Sequence, residues 1–350
     1  KQNQFIHFQH AVVFQGFHDP LTQQQTIIDC SPLTYQQQGN ACFSSARHIS
    51  VSHITFQYNA DTAFPLIQCK QTLQLTNTIL NEYRSSNVSQ YLFHVETSTN
   101  HKNEPMQIHI ANTTFSNITS SVVSVFSFES NVVVNNNERN YQPIEISTDF
   151  LYITNTDATH FMFVQGQLAS SSFHNLQLSD LSISSILSEF VVNPSYMNET
   201  LAFLHHIDIE NVMINKCSMK FSYSPYGLFN LIGLGRVNIN NVHLTNSIFS
   251  KTTSFSHSGI LFNFNSNSNS NRGSFDVNVC TIFASNLSTS TNSQKAIGVP
   301  FLISVNVYGI VWSGHFHDLS MVNVVNVFLL KMERGRFGVA TNDQIFPVNI

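Results

Sequence analysis

Asp208 and Glu210 are separated by one residue, so on an extended segment both carboxylates leave the same face. Such a pair is the smallest unit that can serve as general acid and base, or begin to hold a divalent cation. The other central carboxylates, Asp149, Asp157 and Asp180, are scattered along the sequence and do not converge on that pair; a solvated strand edge is expected. Histidine is abundant, 16 residues in 350, and densest at His205–His206 and His315-Phe-His317. Neighbouring strand residues point to opposite faces, which separates His205 from His206. His315 and His317 share a face and amount to half of a two-histidine metal site, but no Cys, Asp or third His stands at matching spacing. Exposed strand histidines are therefore expected, with no metal and no cofactor. Nucleophile elbows, phosphate loops and cysteine pairs at zinc-finger spacing do not occur.

A repeat must place these side chains. A phrase of alternating apolar residues closed by Asn, Asp or His recurs about ten times. Its clearest copies are Ile49–Val51–His53, Leu73–Leu75–Asn77, Ile108–Ile110–Asn112, Leu151–Ile153–Asn155, Leu176–Leu178–Asp180, Ile207–Ile209–Asn211 and Val237–Ile239–Asn241, with Phe316–Asp318 weaker. Alternation at period two marks a half-buried strand. The polar residue sits where the alternation changes register, and Asn and Asp tolerate left-handed backbone angles, so it marks a bend between two strands. A third apolar stretch, such as Val122–Phe128 or Gly259–Phe264, precedes the next copy. Three short strands per repeat, with no capped amphipathic helix, predict an all-β fold: a single-stranded parallel β-helix of about ten coils, one continuous solenoid over residues 1–350. An antiparallel sandwich or propeller is the runner-up, disfavoured because no Asn-Gly or Asp-Gly turn occurs. On this reading Asn77, Asn112, Asn155, Asp180, Asn211, Asn241 and Asp318 stack coil over coil in one column.

The phrases IHIANTTFSN, IDIENVMINK and VNINNVHLTN resemble the repeats of right-handed parallel β-helix proteins of the pectin-lyase-like superfamily. The resemblance spans about residues 5–345 and implies a right-handed coil with an asparagine ladder at the first bend. It implies no single function, because that superfamily includes polysaccharide lyases, glycoside hydrolases, tailspikes, adhesins and inactive surface proteins. Asn155–Thr156–Asp157 resembles the Asn-Thr-Asp motif of polygalacturonases. The paired aspartates, Gly-His-Gly and Arg-Ile-Lys of that family do not follow: Asp180 stands between Ser179 and Leu181, and Gly314–His315 is followed by Phe316. Asn155 is thus expected to be a ladder residue, and no catalytic residue is assigned.

Charged residues make up 10% of the chain and the net charge is −5, with no Lys/Arg cluster. That balance excludes nucleic acid and anionic membrane surfaces as partners, and no apolar run reaches the ~18 residues of a membrane span. Acceptor triplets at Asn87, Asn112, Asn117, Asn198 and Asn286 suit a secreted protein carrying covalent N-glycans. Of five cysteines, Cys30 and Cys42 fall in an irregular loop, 18–47, and are the candidate disulfide; Cys217 and Cys280 read as small core residues, and Cys69 as either. Thirty Phe against one Trp argue for aromatic packing inside rather than sugar-stacking platforms outside. The chain starts at Lys1 and neither end reads as a cap, which suggests a processed chain or a segment of a longer solenoid. The expected function is an extracellular or cell-surface structural or adhesive protein, a segment or subunit of a surface fibre. It would associate end to end or against neighbouring coils of a longer chain. The alternative is a polysaccharide-degrading enzyme, lyase or glycoside hydrolase, with its site on an outer strand face near 82–105 or 131–143.

Overall fold

A computed structural model describes residues 6–17, 26–30, 41–60, 65–85, 89–97, 104–135, 138–190, 206–220, 227–232, 235–251, 259–266, 274–291, 301–307, 311–324 and 327–334. The described residues are all-β, without a helix. Twenty-four strands join in one sheet, and Val132–Asn135 with Glu138–Tyr141 forms a separate two-stranded sheet. That hairpin is the one antiparallel pair among the described residues; every other pairing is parallel.

The pairings sort into three columns. In the first, Val12–Gln15, His48–Ser52, Thr72–Thr76, the start of Met106–Glu129, Pro143–Gln165, Ser170–Ile183, His206–Lys220, Gly235–Thr245, Ser274–Thr291 and Val311–Val324 each pair with the next. The second begins with Thr26–Asp29, Ile54–Ala60 and Ile79–Ser85 and continues through the middle of the long strands. The third begins with Ile6–Phe8, Phe43–Ser45, Ile67–Lys70 and Ser89–Glu96 and ends with Ser185–Phe190, Phe229–Ile232, Gly259–Ser266, Phe301–Val307 and Phe328–Arg334. Thr26–Asp29 and Phe43–Ser45 lie within the stretch 18–47, which is therefore not wholly irregular. The alternation of Thr26-Ile-Ile-Asp suffices for a short strand pairing with Ile54–Gln57.

Alternation explains what is buried. His48–Ser52 and Thr72–Thr76 bury Ile49, Val51, Leu73 and Leu75 and turn the intervening residues outward, and the same holds at Ile108/Ile110, Ile207/Ile209 and Val277/Val279. The third column differs, because Ser185–Glu189, Phe229–Ile232 and Leu302–Ser304 are buried on both faces. Inside, aromatic rings stack between layers: Phe93 on Phe126 at 4.8 Å, Phe229 on Phe262 at 5.1 Å and Tyr58 on Tyr83 at 4.8 Å. Such pairs add about 0.5–1.5 kcal/mol each beyond area burial.

Two sets of left-handed residues bend the chain between columns. The first bend carries His53, Asn77, Asn112, Phe150, Asn175, Asn211, Asn241, Thr281 and Asp318, all at positive φ. The second, five residues later, carries Asn117, Asn155, Asp180, Lys216, Asn246, Asn286 and Asn323. The flanking registers place each set in line, because Ala111 pairs with Asp149 and Thr113 with Leu151, while Ser116 pairs with Thr154 and Ile118 with Thr156. The single column of markers is thus corrected to two. Asn77, Asn112, Asn211, Asn241 and Asp318 stand in the first, and Asn155 and Asp180 in the second.

Candidate functional site

The position just before the first bend points outward in every layer, and there the pairing brings together residues far apart in sequence. Asp149, His174, Glu210, Asn240, Cys280 and His317 form one row, each in register with the next. Two residues earlier a parallel row reads Ser147, Ser172, Asp208, Asn238, Asn278 and His315. Asp149 and Glu210 therefore share a face and a row with His174 between them, which linear spacing concealed.

Local bonds fix several of these groups. Asp208 Oδ2 lies 2.9 Å from His206 Nε2 and its Oδ1 accepts from Asn238 Nδ2 at 2.9 Å. Asp149 Oδ1 accepts from Asn175 Nδ2 at 2.7 Å, and Arg236 lies 3.6 Å from Asp276. His205 lies outside the described residues. Cys280, expected in the core, is half-exposed in the row, while Cys69 and Cys217 are buried and their thiols are pushed up by that burial, Cys217 to about 12. Cys280 Sγ, a His317 ring nitrogen and an Asp318 carboxylate oxygen lie within 4.8 Å of one another. Sequence spacing gave His317 no Cys partner because 37 residues separate two positions that are adjacent across the strands.

The bend residues form hydrogen-bonded chains. In the first column Asn241 Nδ2 donates to Asn211 Oδ1 at 2.8 Å, and Asn211 Nδ2 to Asn175 Oδ1 at 3.3 Å. In the second, Asn155 donates to Asn117 (2.8 Å), Asn286 to Asn246 (3.0 Å) and Asn323 to Asn286 (3.2 Å), and Lys216 Nζ lies 3.5 Å from Asp180. Asn155 of the Asn-Thr-Asp motif is held in this way, beside buried Thr156. Asp157 pairs in register with Ser182.

No protein-family model, curated protein or solved structure matches this chain.

The remaining sites are therefore read from their chemistry alone. Asn87 and Asn198 lie outside the described residues. Asn117 is committed at both ends of its amide, donating to Asn81 O at 3.1 Å and accepting from Asn155, and Asn286 likewise bridges Asn246 and Asn323. Asn112 is exposed and its amide makes no hydrogen bond among the described residues, and its neighbour in the next layer is Phe150. Cys30 and Cys42 are joined as a disulfide, with Cα atoms 6.4 Å apart. Phe56, Phe115, Phe126, Phe128, Phe161, Phe262 and Phe264 are buried, whereas Phe163 lies half-buried on the other face, stacked on Phe190.

Glu189 and His160 are buried titratable groups that gave no signal in the sequence. Glu189 is 1% exposed; burial pushes its carboxyl up to about 7, partly offset by the backbone N–H groups of Ile232 and Leu168, which donate to it at 2.9 and 3.1 Å. Burial lowers His160 to about 4, where its Nδ1 lies 2.6 Å from Ser185 Oγ. Both belong to the third column, away from the outer row.

Proposed function

We propose that the chain is a right-handed parallel β-helix that serves as an extracellular or cell-surface structural or adhesive protein. The observation that carries this reading is the parallel, in-register pairing of each layer with the next through all three columns. At about 4.8 Å per layer, ten layers make a rod roughly 50 Å long. Charged residues are few, 10% of the chain, and its large aromatics are mainly inside. The Cys30–Cys42 disulfide supports an oxidising compartment.

On this reading the outer bends carry N-glycans, and Asn112 is the preferred acceptor of the three described triplets. A sugar on its nitrogen breaks no bond of the column, and the neighbouring Phe150 ring offers an apolar face to it. Self-association proceeds through edge strands against a second copy or neighbouring coils. In the first described layer Ile6, Val13 and Ile27 are exposed, and their strands have a lateral partner on one side only among the described residues. Electron microscopy and analytical ultracentrifugation of the secreted protein test this: rods or end-to-end oligomers are expected, and compact monodisperse particles at high concentration overturn the fibre reading.

The outer row favours a second reading, a polysaccharide-degrading enzyme. Asp149 and Glu210 are two strands apart, about 10 Å of backbone, with His174 between them, near the separation used by inverting glycoside hydrolases. Assay against acidic and neutral glycans, with and without calcium, decides between the two. Turnover abolished by Asp149→Asn or Glu210→Gln establishes the enzyme, and its absence across the panel retains the structural protein.

A further inference from the structure

We propose that Cys280, His317 and Asp318 form a zinc site on the outer face of the first column, independent of whether the protein is a scaffold or an enzyme. Two adjacent strands build it. Cys280 of Ser274–Thr291 and His317 of Val311–Val324 are in register, and Asp318 follows at the first bend with φ 54°. Their three ligand atoms lie within 4.8 Å of one another, the one such group among the described residues that combines these donors. His317 Nδ1 stands 3.3 Å from Asp318 Oδ2, and Cys280 Sγ 3.3 Å from Thr281 Oγ1.

The donor set selects the ion. One thiolate, one imidazole and one carboxylate suit a borderline-soft cation with tetrahedral preference, whereas calcium and magnesium take oxygen throughout. Zinc holds such atoms at about 2.0–2.3 Å from itself, which sets them roughly 3.5 Å from each other. Closing from within 4.8 Å needs only side-chain rotation, since His317 and Asp318 are exposed and Cys280 is half-exposed. Asp318 holds its left-handed backbone without a β-branched penalty, so the bend presents the carboxylate already turned towards the neighbouring strand. Three protein ligands leave a fourth position for water, which makes this an open site, reachable from solvent. Binding releases the thiol proton and leaves the other cysteines untouched, because Cys69 and Cys217 are buried and Cys30 is bonded to Cys42.

The test uses the full chain with its free thiols reduced, titrated with Zn2+ by calorimetry and with Co2+ as a spectroscopic probe. One equivalent of metal and a sulfur-to-cobalt charge-transfer band in the near ultraviolet are expected. Cys280→Ser removes the band, His317→Ala weakens affinity at least 10-fold, and His315→Ala, on the same strand face but outside the triad, leaves both unchanged. Asp318→Asn keeps a residue suited to the bend and reduces affinity about 10-fold, so it decides the matter where the cysteine variant fails to fold. Absence of stoichiometric binding, or binding and a band that survive Cys280→Ser, overturns the site.

Discussion

Phe150→Asn should stabilise the protein, an uncommon direction for a single substitution. Phe150 occupies the first bend at φ 52°, between Asn112 above and Asn175 below, and its ring is 44% exposed. A left-handed backbone costs an aromatic residue about 1–2 kcal/mol, most of which asparagine avoids. An amide there also gains a partner in Asn112, while Asn175 keeps its bond to Asp149. At a half-exposed position that one bond contributes about 0.5–1 kcal/mol. Against this stands the buried half of the ring, about 1–1.5 kcal/mol. The balance is a gain of about 1 kcal/mol, read as a raised urea midpoint at unchanged slope. Phe150→Leu keeps the backbone strain and loses ring packing, so it should lower the midpoint. If the asparagine variant is less stable than the parent, the bonded-column account of the first bend is wrong.

Asn241→Ala removes the bond to Asn211 and the one received from His243 and leaves a left-handed alanine, a loss of about 1–3 kcal/mol by denaturant melting; Asn241→Gly should lose less, since glycine accepts the backbone angle. Gly16→Ala should disrupt the first layer, because a Cβ there collides with the His53 carbonyl oxygen; loss of protection at the Gly16 amide, bonded to Ser52 O, would report it by hydrogen exchange. The two buried groups oppose one another in pH. Glu189, raised from 4.5 to about 7, is more protonated folded than unfolded, so its contribution is present below pH 4.5 and lost as pH rises through 7, about 3 kcal/mol in all. His160, lowered from 6.5 to about 4, contributes above pH 6.5 and loses that as pH falls through 4. Stability followed from pH 4 to 8 should therefore slope upwards in Glu189→Gln and stay flatter in the parent; equal slopes refute the assignment. Glycopeptide mapping of protein secreted by eukaryotic cells should find Asn112 occupied more fully than Asn117 or Asn286, and an unmodified Asn112 would count against the acceptor argument.

The strands were legible because burial imposes a period of two. Ile49/Val51, Leu73/Leu75 and Ile207/Ile209 could hardly be read otherwise, and no amphipathic helix competed with them. What misled was the bend. Both bends accept asparagine and lie five residues apart, so a phrase ending in Asn can belong to either: Ile108–Ile110–Asn112 ends at the first and Leu151–Ile153–Asn155 at the second. Phe150 carries no polar marker to expose the slip. The outer row was hidden for a related reason: connections of unequal length separate Asp149 from His174 by 25 residues but His174 from Glu210 by 36. Lateral neighbours then share no fixed spacing. Glu189 and His160 gave no signal, since burial of the third column on both faces depends on what packs outside it and not on its own alternation.

Because each layer's ladder partners lie in the layer before it and the layer after, the early layers can close while later ones are still being made on the ribosome. On the β-helix reading proposed above, every completed turn would offer the next a ready template, and the chain would grow by accretion rather than by a single collapse. Excision of residues 212–241 would join Asn211 directly to Val242 and set Leu244 where Ile214 had been, so a shorter molecule with the same cross-section should still form. Length in such a protein is a quantity that insertion or loss of one turn can adjust, leaving the remaining turns as they were.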